Sequence, residues 1–305
     1  MSAVVQDKPT TGASPGMPSR RRGLTFPGKL MAPGVTLLAL LSIIPFITLV
    51  VMSFSRVRLL GGLRFEFVGL DNWTRVLQDM DMWASWLRSA IYLLGTLGLE
   101  MLLGVGIALL LHRVVRGRGL LLSLMLLPMF VAPVIVGLLG RYLTDSTFGL
   151  YSWVLEGMGY DGDILGGTTS ALTAVILMDV WEWTPLIALI TLAGLSGVNP
   201  SVLEAASLDG AGYWATLRHV VFPSITGILL VAFLIRAMDA VRYYDIITVT
   251  TNGGPADATK TVPIRLFETA FRFFDLGYAA AIGLMMLVVT ILISKGFVAV
   301  LQKKV

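Results

Sequence analysis

Cysteine is missing from this sequence of 305 residues, and histidine and charged residues are scarce. Without cysteine the chain can form no disulfide, no thiol nucleophile and no cysteine metal site. The two histidines, His112 and His219, have no apparent ligand partners nearby, so we expect them at the edges of loops. Charged residues make up 14% of the chain and hydrophobic residues 56%, with a mean hydropathy of +0.81. This composition excludes an ordinary soluble globular protein.

The sequence also lacks recognisable catalytic motifs. Its nearest approach to a Walker A sequence is the segment 254–261, which has Thr259 where the second glycine is required. A phosphate cradle needs the backbone N–H groups that this glycine frees. Asp179 and Glu182 share one apolar run, which is a poor frame for the opposed acid and base of a glycosidase. We therefore predict a non-catalytic chain with no metal or cofactor of its own. The net charge of +4 is too small to indicate nucleic-acid binding.

Long apolar runs dominate what is present. Each is long enough for the roughly 20 residues that a bilayer core needs, and without water the backbone inside it must be helical. The six runs are Leu30 to Phe54, Ala90 to Leu111, Leu120 to Leu139, Ala171 to Leu195, Pro223 to Val249 and Gly277 to Val300. The sequence therefore predicts an all-α integral membrane protein with six transmembrane helices. Pro128 and Pro133 predict a kink in the third helix.

The charged residues between these runs predict the orientation of the chain. Residues 1–29 are rich in Ser, Pro, Gly and Thr, with basic residues near the end, so we expect a disordered cytoplasmic tail before a retained anchor. The short loop 112–119 carries three arginines, whereas 142–169 carries four acidic residues and no lysine or arginine. By the positive-inside rule both termini and the segment 196–222 are cytoplasmic. The arginines of the loop 55–87 run against this orientation, and the other segments outweigh them.

A polar segment, Leu195 to Pro223, lies between the fourth and fifth runs. Asn199 followed by Pro200 is typical of a helix start, because Asn accepts from free N–H groups and Pro at the first position loses no hydrogen bond. We predict a short helix from Ser201 to Leu208, a stop at Gly210 and Gly212, and a second short helix from Tyr213 to Val220. Two short helices cannot bury a core of their own, so this segment predicts a docking surface. The alternative is an amphipathic helix lying on the bilayer.

Seven residues of this segment resemble the EAA loop of ABC importer permeases: Glu204, Ala205, Ala206, Asp209, Gly210, Ala211 and Pro223. The resemblance implies a type I ABC importer (MetI-like) transmembrane domain over residues 30–305, with its coupling loop at 196–223. In that family the first short helix is a cytoplasmic coupling helix that sits in a cleft of the ATPase, and the ATPase binds ATP and magnesium. The coupling residues implied here are Glu204, Ala205, Ala206, Leu208, Asp209 and Gly210.

Three further segments are similar to the carbohydrate-uptake branch of this family, near the first permease subunit of maltose and glycerol phosphate systems. They are Phe67 to Trp73, Arg116 to Gly119 and Thr251 to Pro255. The resemblance implies a bacterial plasma-membrane permease for a sugar or polyol, such as the disaccharide trehalose. It also implies four kinds of contact: a second homologous permease in a heterodimer, two ATPase subunits, an extracytoplasmic sugar-binding protein and the lipid membrane.

Charged residues inside the fourth and fifth runs are the candidate substrate pathway. An ionised group at the bilayer centre is costly, so such residues usually face a cavity or each other. Helical spacing places Arg236, Asp239, Ala240 and Tyr243 on one face, and Asp179, Glu182, Trp183 and Leu186 form a similar stripe. Positions that line the sugar pocket in maltose-type permeases match Trp183, Leu186, Arg236, Asp239, Ala240 and Tyr243. Carboxylates, guanidinium and aromatic faces suit a polyhydroxyl ligand.

Several alternatives stay open at this stage. Arg236 and Asp239 could be a neutralised packing pair that holds helices together. Glu100, the lone charged residue of its run, could be a hydrogen-bonding group inside the bundle. The arginines of the fifth run would also tolerate glycerol phosphate as a substrate. An ion-coupled secondary transporter could use Asp179, Glu182 and Asp239 as a proton relay, although the sequence shows no repeated half of the kind such carriers have.

Overall fold

The structure is a computed structural model, which describes residues 26–58, 62, 64–114, 116–160 and 162–302, without the side chains of 26–29, 300 and 301. Most of the predicted tail, residues 1–25, and the basic pair Lys303 and Lys304 lie outside the described residues. Helix α1, Phe26–Ser53, begins four residues before the predicted boundary at Leu30. Within the described residues, the part up to Thr48 forms one compact unit and the part from Leu49 onward forms another.

Five described helices are long and apolar enough to cross a membrane, and a bent pair brings the number to six. The five spans are Leu30–Ser53, Met80–Arg113, Thr168–Ser196, Tyr213–Thr250 and Leu276–Ala299. The third predicted run is broken into α4, Arg118–Leu126, a 3-10 turn, Pro128–Phe130, and α5, Pro133–Leu143, with a bend of 92°. Pro133 favours an extended conformation at the residue before it, and Ala132 has a ψ of 137°. The predicted kink is confirmed.

A small antiparallel sheet, which the sequence does not predict, follows α1 in this otherwise helical chain. Strand β1, Ser55–Arg58, pairs with strand β2, Arg64–Phe67, and Ser55 lies opposite Phe67. Side chains of β1 alternate between buried and exposed, as expected of a strand with one covered face. Two strands of four residues are too short to stand out among apolar runs of membrane length.

Part of the predicted outer loop 55–87 is helical as well. Helix α2, Asp71–Gln78, precedes α3, Met80–Arg113, which starts ten residues before the predicted Ala90. Asp79 explains the early start, because its carboxylate accepts from the backbone N–H groups of Asp81, at 2.9 Å, and Met82, at 3.2 Å. An aspartate at this position satisfies donors that the first helical turn leaves free.

The remaining helices of the second unit follow in order along the chain. They are α6, Leu150–Gly157; α7, Thr168–Ser196; α8, Pro200–Leu208; α9, Tyr213–Thr216; α10, Phe222–Ala240; α11, Asp245–Thr250; α12, Val262–Phe271; and α13, Leu276–Gln302. Helices α3 and α7 share the most extensive packing of the described elements, and α10 packs against both. Gly104 permits this approach, because a Cβ there would lie 2.7 Å from Cβ of Ile187.

Candidate functional site

Helix α8 forms as its local sequence predicts. The side chain of Asn199 accepts from the backbone N–H of Ser201 at 3.0 Å, and Pro200 occupies the first turn. The helix ends where Gly210 adopts a φ of +73°, a conformation that glycine reaches without the Cβ penalty of other residues. The backbone N–H of Ala211 then donates to the carbonyl of Ala206 at 2.9 Å and closes the turn.

The predicted coupling residues lie together on this exposed element. Ala206 is the buried member, with 9% of its surface accessible, and Leu208 is 89% accessible. The other four are exposed: Glu204, Ala205, Asp209 and Gly210. The exposed side chain of Leu208, close to Glu204 and Asp209 in the sequence, gives α8 a mixed apolar and acidic surface. The structure thus exposes five of the six predicted residues on one element, here called the α8 surface, while Ala206 is buried.

The second predicted short helix differs from the expectation in its continuity. Helix α9 runs without a break into a π-helical segment, Leu217–Val221, and then into α10. Helix α9 is therefore continuous with the fifth span rather than separated from it at Pro223. A cation–π contact adds a second connection, because the guanidinium of Arg113, at the end of α3, lies 4.0 Å from the ring centroid of Tyr213.

Arg236 lies at the centre of a group of buried polar side chains, here called the Arg236 cluster: Arg236, Glu100, Asp179, Glu182, Asp239 and Tyr243. Its Nε donates to Glu100 Oε1 at 3.0 Å, its Nη2 to Asp179 Oδ2 and its Nη1 to Asp239 Oδ2 at 3.2 Å. Nη2 also lies 2.9 Å from Glu100 Oε1 as an ion pair. The side chains of Arg236, Glu100 and Asp179 have no accessible surface. The guanidinium joins α3, α7 and α10 in the interior of the bundle.

Glu182 and Tyr243 form the second part of this cluster. The hydroxyl of Tyr243 donates to Glu182 Oε2 at 2.8 Å, and its ring stacks on Tyr92 with centroids 6.1 Å apart. The Arg236 guanidinium lies 5.2 Å from the ring of Trp183. Four of the buried polar atoms that have no hydrogen-bond partner among the described residues lie in or beside this cluster: Tyr92 Oη, Glu100 Oε2, Asp179 Oδ1 and Trp183 Nε1.

The predicted pathway residues divide into two groups by exposure. Five are buried: Asp179, Glu182, Arg236, Ala240 and Tyr243. Trp183, Leu186 and Asp239 are partly exposed, and 32% of the Asp239 side chain is accessible. Helix α10 ends at Ala240, so Tyr243 lies in the turn that follows rather than on a continued helical face. It still reaches Glu182, because the turn folds back against α7.

The sequence predicts Glu100 as a hydrogen-bonding group inside the bundle but does not identify Arg236 as its partner. Glu100 stands 136 residues before Arg236, and no local spacing connects the two. The signal that could have found it is its isolation: a lone carboxylate in a membrane-length run needs a cation from another helix. Tyr92 was missed altogether, since a tyrosine in an apolar helix carries no distinctive pattern.

A second polar cluster joins the start of α3 to α12 and α13. Tyr278 donates to Asp79 Oδ2 at 2.6 Å, and Arg265 lies 3.6 Å from the same oxygen. Burial raises the pKa of Asp79, but the bonds from Tyr278 and the Met82 backbone, with the charge of Arg265, bring it below its ordinary value. The pKa of Lys260 is shifted in the opposite direction. Burial lowers the pKa of its ammonium group, but its hydrogen bonds to Asp257 and Glu268 raise that pKa above its ordinary value.

No group of three or more Asp, Glu or His side chains among the described residues is arranged to hold a metal ion. The Arg236 cluster is a network of ion pairs, and its cation is a guanidinium. The arrangement can therefore hold helices together, accept hydrogen bonds at its edge, or both.

Comparison with known proteins identifies the family. Residues 100–305 match the family described as "Binding-protein-dependent transport system inner membrane component". A probable ABC transporter permease protein, y4oQ of Sinorhizobium fredii, is 34% identical over 75% of this chain and 74% of its own length. The trehalose/maltose transport system permease protein MalF of Thermococcus litoralis is 33% identical over 74% and 76%, respectively.

The fold agrees with this assignment. One chain of a bacterial alginate ABC transporter, crystallised with an alginate pentasaccharide-bound periplasmic protein, superimposes with a TM-score of 0.77 at 18% identity. The match covers 88% of this chain and 91% of that one. The predicted ABC-importer transmembrane fold is confirmed. The chain is a multi-pass membrane protein, and it belongs to the binding-protein-dependent transport family as a permease subunit of an ABC importer.

Proposed function

We propose that this permease carries a carbohydrate or polyol, such as a disaccharide of the trehalose type, across a bacterial plasma membrane. The 33% identity to a trehalose/maltose permease supports this substrate class. The partly exposed Trp183 and Asp239 support it as well, because an aromatic face and a carboxylate suit a polyhydroxyl solute. Trp183, Leu186 and Asp239 would meet the solute, and the buried Asp179, Glu182, Arg236, Ala240 and Tyr243 would hold them in place.

The α8 surface is the observation that carries the proposed mechanism. It is exposed and capped, and the short turn 209–212 links it to α9, which continues into α10, so this connection carries a movement of α8 to the fifth span. Two partner ATPase subunits hydrolyse ATP, and one of them receives the α8 surface in a cleft, where Glu204 pairs with a basic residue. Closure of the ATPases then rocks this bundle against a second homologous permease.

In the proposed mechanism the N-terminus, the C-terminus and the α8 surface face the cytoplasm. An extracytoplasmic binding protein delivers the solute to the opposite side, where the polar cluster of Asp79, Arg265 and Tyr278 holds the outer ends of α3, α12 and α13 together. Three arginines in the loop 112–119, which is on the same side as α8, support this orientation.

Uptake by the assembled importer in vesicles tests the proposal. We expect solute-dependent uptake that requires ATP and the binding protein, and that persists when a protonophore removes the proton gradient. An ion-coupled carrier would behave in the opposite way, since it needs the gradient and no ATP. Labelling of a single cysteine at Ser207, in a chain that otherwise has none, would report which side α8 occupies.

A further inference from the structure

We propose that this permease selects neutral over anionic solutes, and that Asp239 is the specificity-determining residue of the selection. The inference rests on the proposed function and names the charge of the solute. The fifth span carries two arginines, so the sequence alone leaves a phosphorylated or acidic solute open. The contacts of those arginines decide the question.

Each guanidinium nitrogen of Arg236 already donates a hydrogen bond inside the protein. Its Nε, Nη1 and Nη2 all donate to carboxylates, and its side chain has no accessible surface. A phosphate or carboxylate on a solute normally binds guanidinium through two parallel hydrogen bonds. Arg236 cannot offer them without breaking its bonds to Glu100 and Asp179, which would leave buried carboxylates unpaired.

Asp239 engages the second arginine. Its Oδ1 accepts from Nη2 of Arg242 at 3.3 Å, while its Oδ2 accepts from Nη1 of Arg236 at 3.2 Å. Asp239 is also the one carboxylate of the Arg236 cluster with appreciable exposure, at 32% of its side chain. An anion that approaches Arg242 therefore meets the Asp239 carboxylate at the same place.

The charge of the region points in the same direction. The cluster contains four carboxyl groups, and Arg236 with Arg242 supplies two guanidinium groups. With two of the four carboxyls protonated, the remaining two negative charges would balance the two guanidinium groups. The described residues of this region therefore carry no excess positive charge. Like charges in a medium of low dielectric constant repel strongly. A neutral sugar avoids this repulsion, and its hydroxyl groups can donate hydrogen bonds to the Asp239 carboxylate.

Matched pairs of solutes test the inference in the reconstituted importer with its partner subunits and binding protein. The probes are trehalose against trehalose 6-phosphate, maltose against maltobionate, and glycerol against glycerol 3-phosphate. Uptake and stimulated ATP hydrolysis are compared at equal occupancy of the binding protein. We expect the neutral member of a transported pair to exceed its anionic counterpart by about ten-fold or more, equivalent to about 1.4 kcal/mol.

The variant Asp239→Asn probes the residue, because the amide keeps the volume and removes the charge that engages both arginines. We expect the neutral-to-anionic ratio to fall by about three-fold or more, and Asp239→Ser to act in the same direction. Asp245→Asn is the matched control, since Asp245 is an exposed aspartate that begins the next helix. Its ratio should equal that of the wild type.

Two results overturn the inference. One is wild-type uptake of an anionic probe at or above the rate of its neutral counterpart, and the other is an unchanged ratio in both Asp239 variants. Absence of uptake and of ATPase stimulation with every probe of either charge would instead contradict the proposed substrate class itself.

Discussion

Glu100 Oε1 accepts a hydrogen bond from Nε of Arg236 at 3.0 Å and lies 2.9 Å from Nη2 of the same guanidinium. The two residues belong to α3 and α10, and neither side chain has accessible surface. Such a pair repays the cost of burying its charges only when both partners are present. The bond therefore connects these two spans through a single guanidinium, in addition to their apolar packing.

The first prediction concerns this guanidinium. Arg236→Gln should destabilise the folded protein by about 3–5 kcal/mol, because it leaves Glu100 and Asp179 buried without a cation. Thermal unfolding of the purified complex measures the effect. Arg242→Gln is the control, since the Arg242 side chain is 76% accessible and its pair with Asp239 should contribute less than about 1 kcal/mol. Equal unfolding temperatures for the two variants would contradict this role of Arg236.

The second prediction concerns the packing of α3 on α7. Gly104→Ala would place a Cβ 2.7 Å from Cβ of Ile187 and 3.1 Å from the backbone nitrogen of Ala188, so the helices would have to separate. We expect a destabilisation of about 1–3 kcal/mol, as for other overpacked interiors. Gly106→Ala lies in the same helix and has no atom within 4 Å of the added Cβ. It should be neutral or slightly stabilising by thermal unfolding, and a loss equal to that of Gly104→Ala would refute the packing argument.

The third prediction concerns the α8 surface. Glu204→Lys should abolish uptake while the protein still inserts and folds, because Glu204 is exposed and contributes nothing to the buried core. Transport assays and the amount of membrane-inserted protein, measured side by side, separate the two effects. Glu66→Lys reverses the charge of another exposed glutamate, on strand β2, and should retain uptake. Normal uptake by Glu204→Lys would remove α8 from the mechanism.

The fourth prediction concerns the pH dependence of the cluster of Asp79, Arg265 and Tyr278. The pKa of Asp79 lies below its ordinary value of 3.8 in the folded protein, although burial alone would raise it. A group of this kind stabilises the folded state above its ordinary pKa, and the contribution is lost as the pH falls through the folded value. Asp79→Asn should therefore lower the unfolding temperature at pH 6 and reduce its further decrease towards acid. Parallel pH profiles of wild type and variant would show that Asp79 is not responsible.

Much of the architecture follows from local features of the sequence. Membrane-length apolar runs predict the spans because the bilayer leaves the backbone no partner except itself. The cap of α8 and the bend before Pro133 follow from the chemistry of Asn199, Pro200 and Pro133 alone. These elements need no distant contact, so their residues are sufficient to predict them.

The partners of the buried charges depend on tertiary structure. Helical spacing puts Asp239 beside Arg236, but Glu100 and Asp179 reach that guanidinium from 136 and 57 residues away. The small sheet likewise depends on the pairing of two separate segments, β1 and β2. The sequence by itself determined which segments enter the membrane, because the hydrophobicity of a segment is the sum of the contributions of its own residues. Only the folded bundle decided which charges neutralise one another, because a buried ion pair needs a partner from another helix at hydrogen-bonding distance.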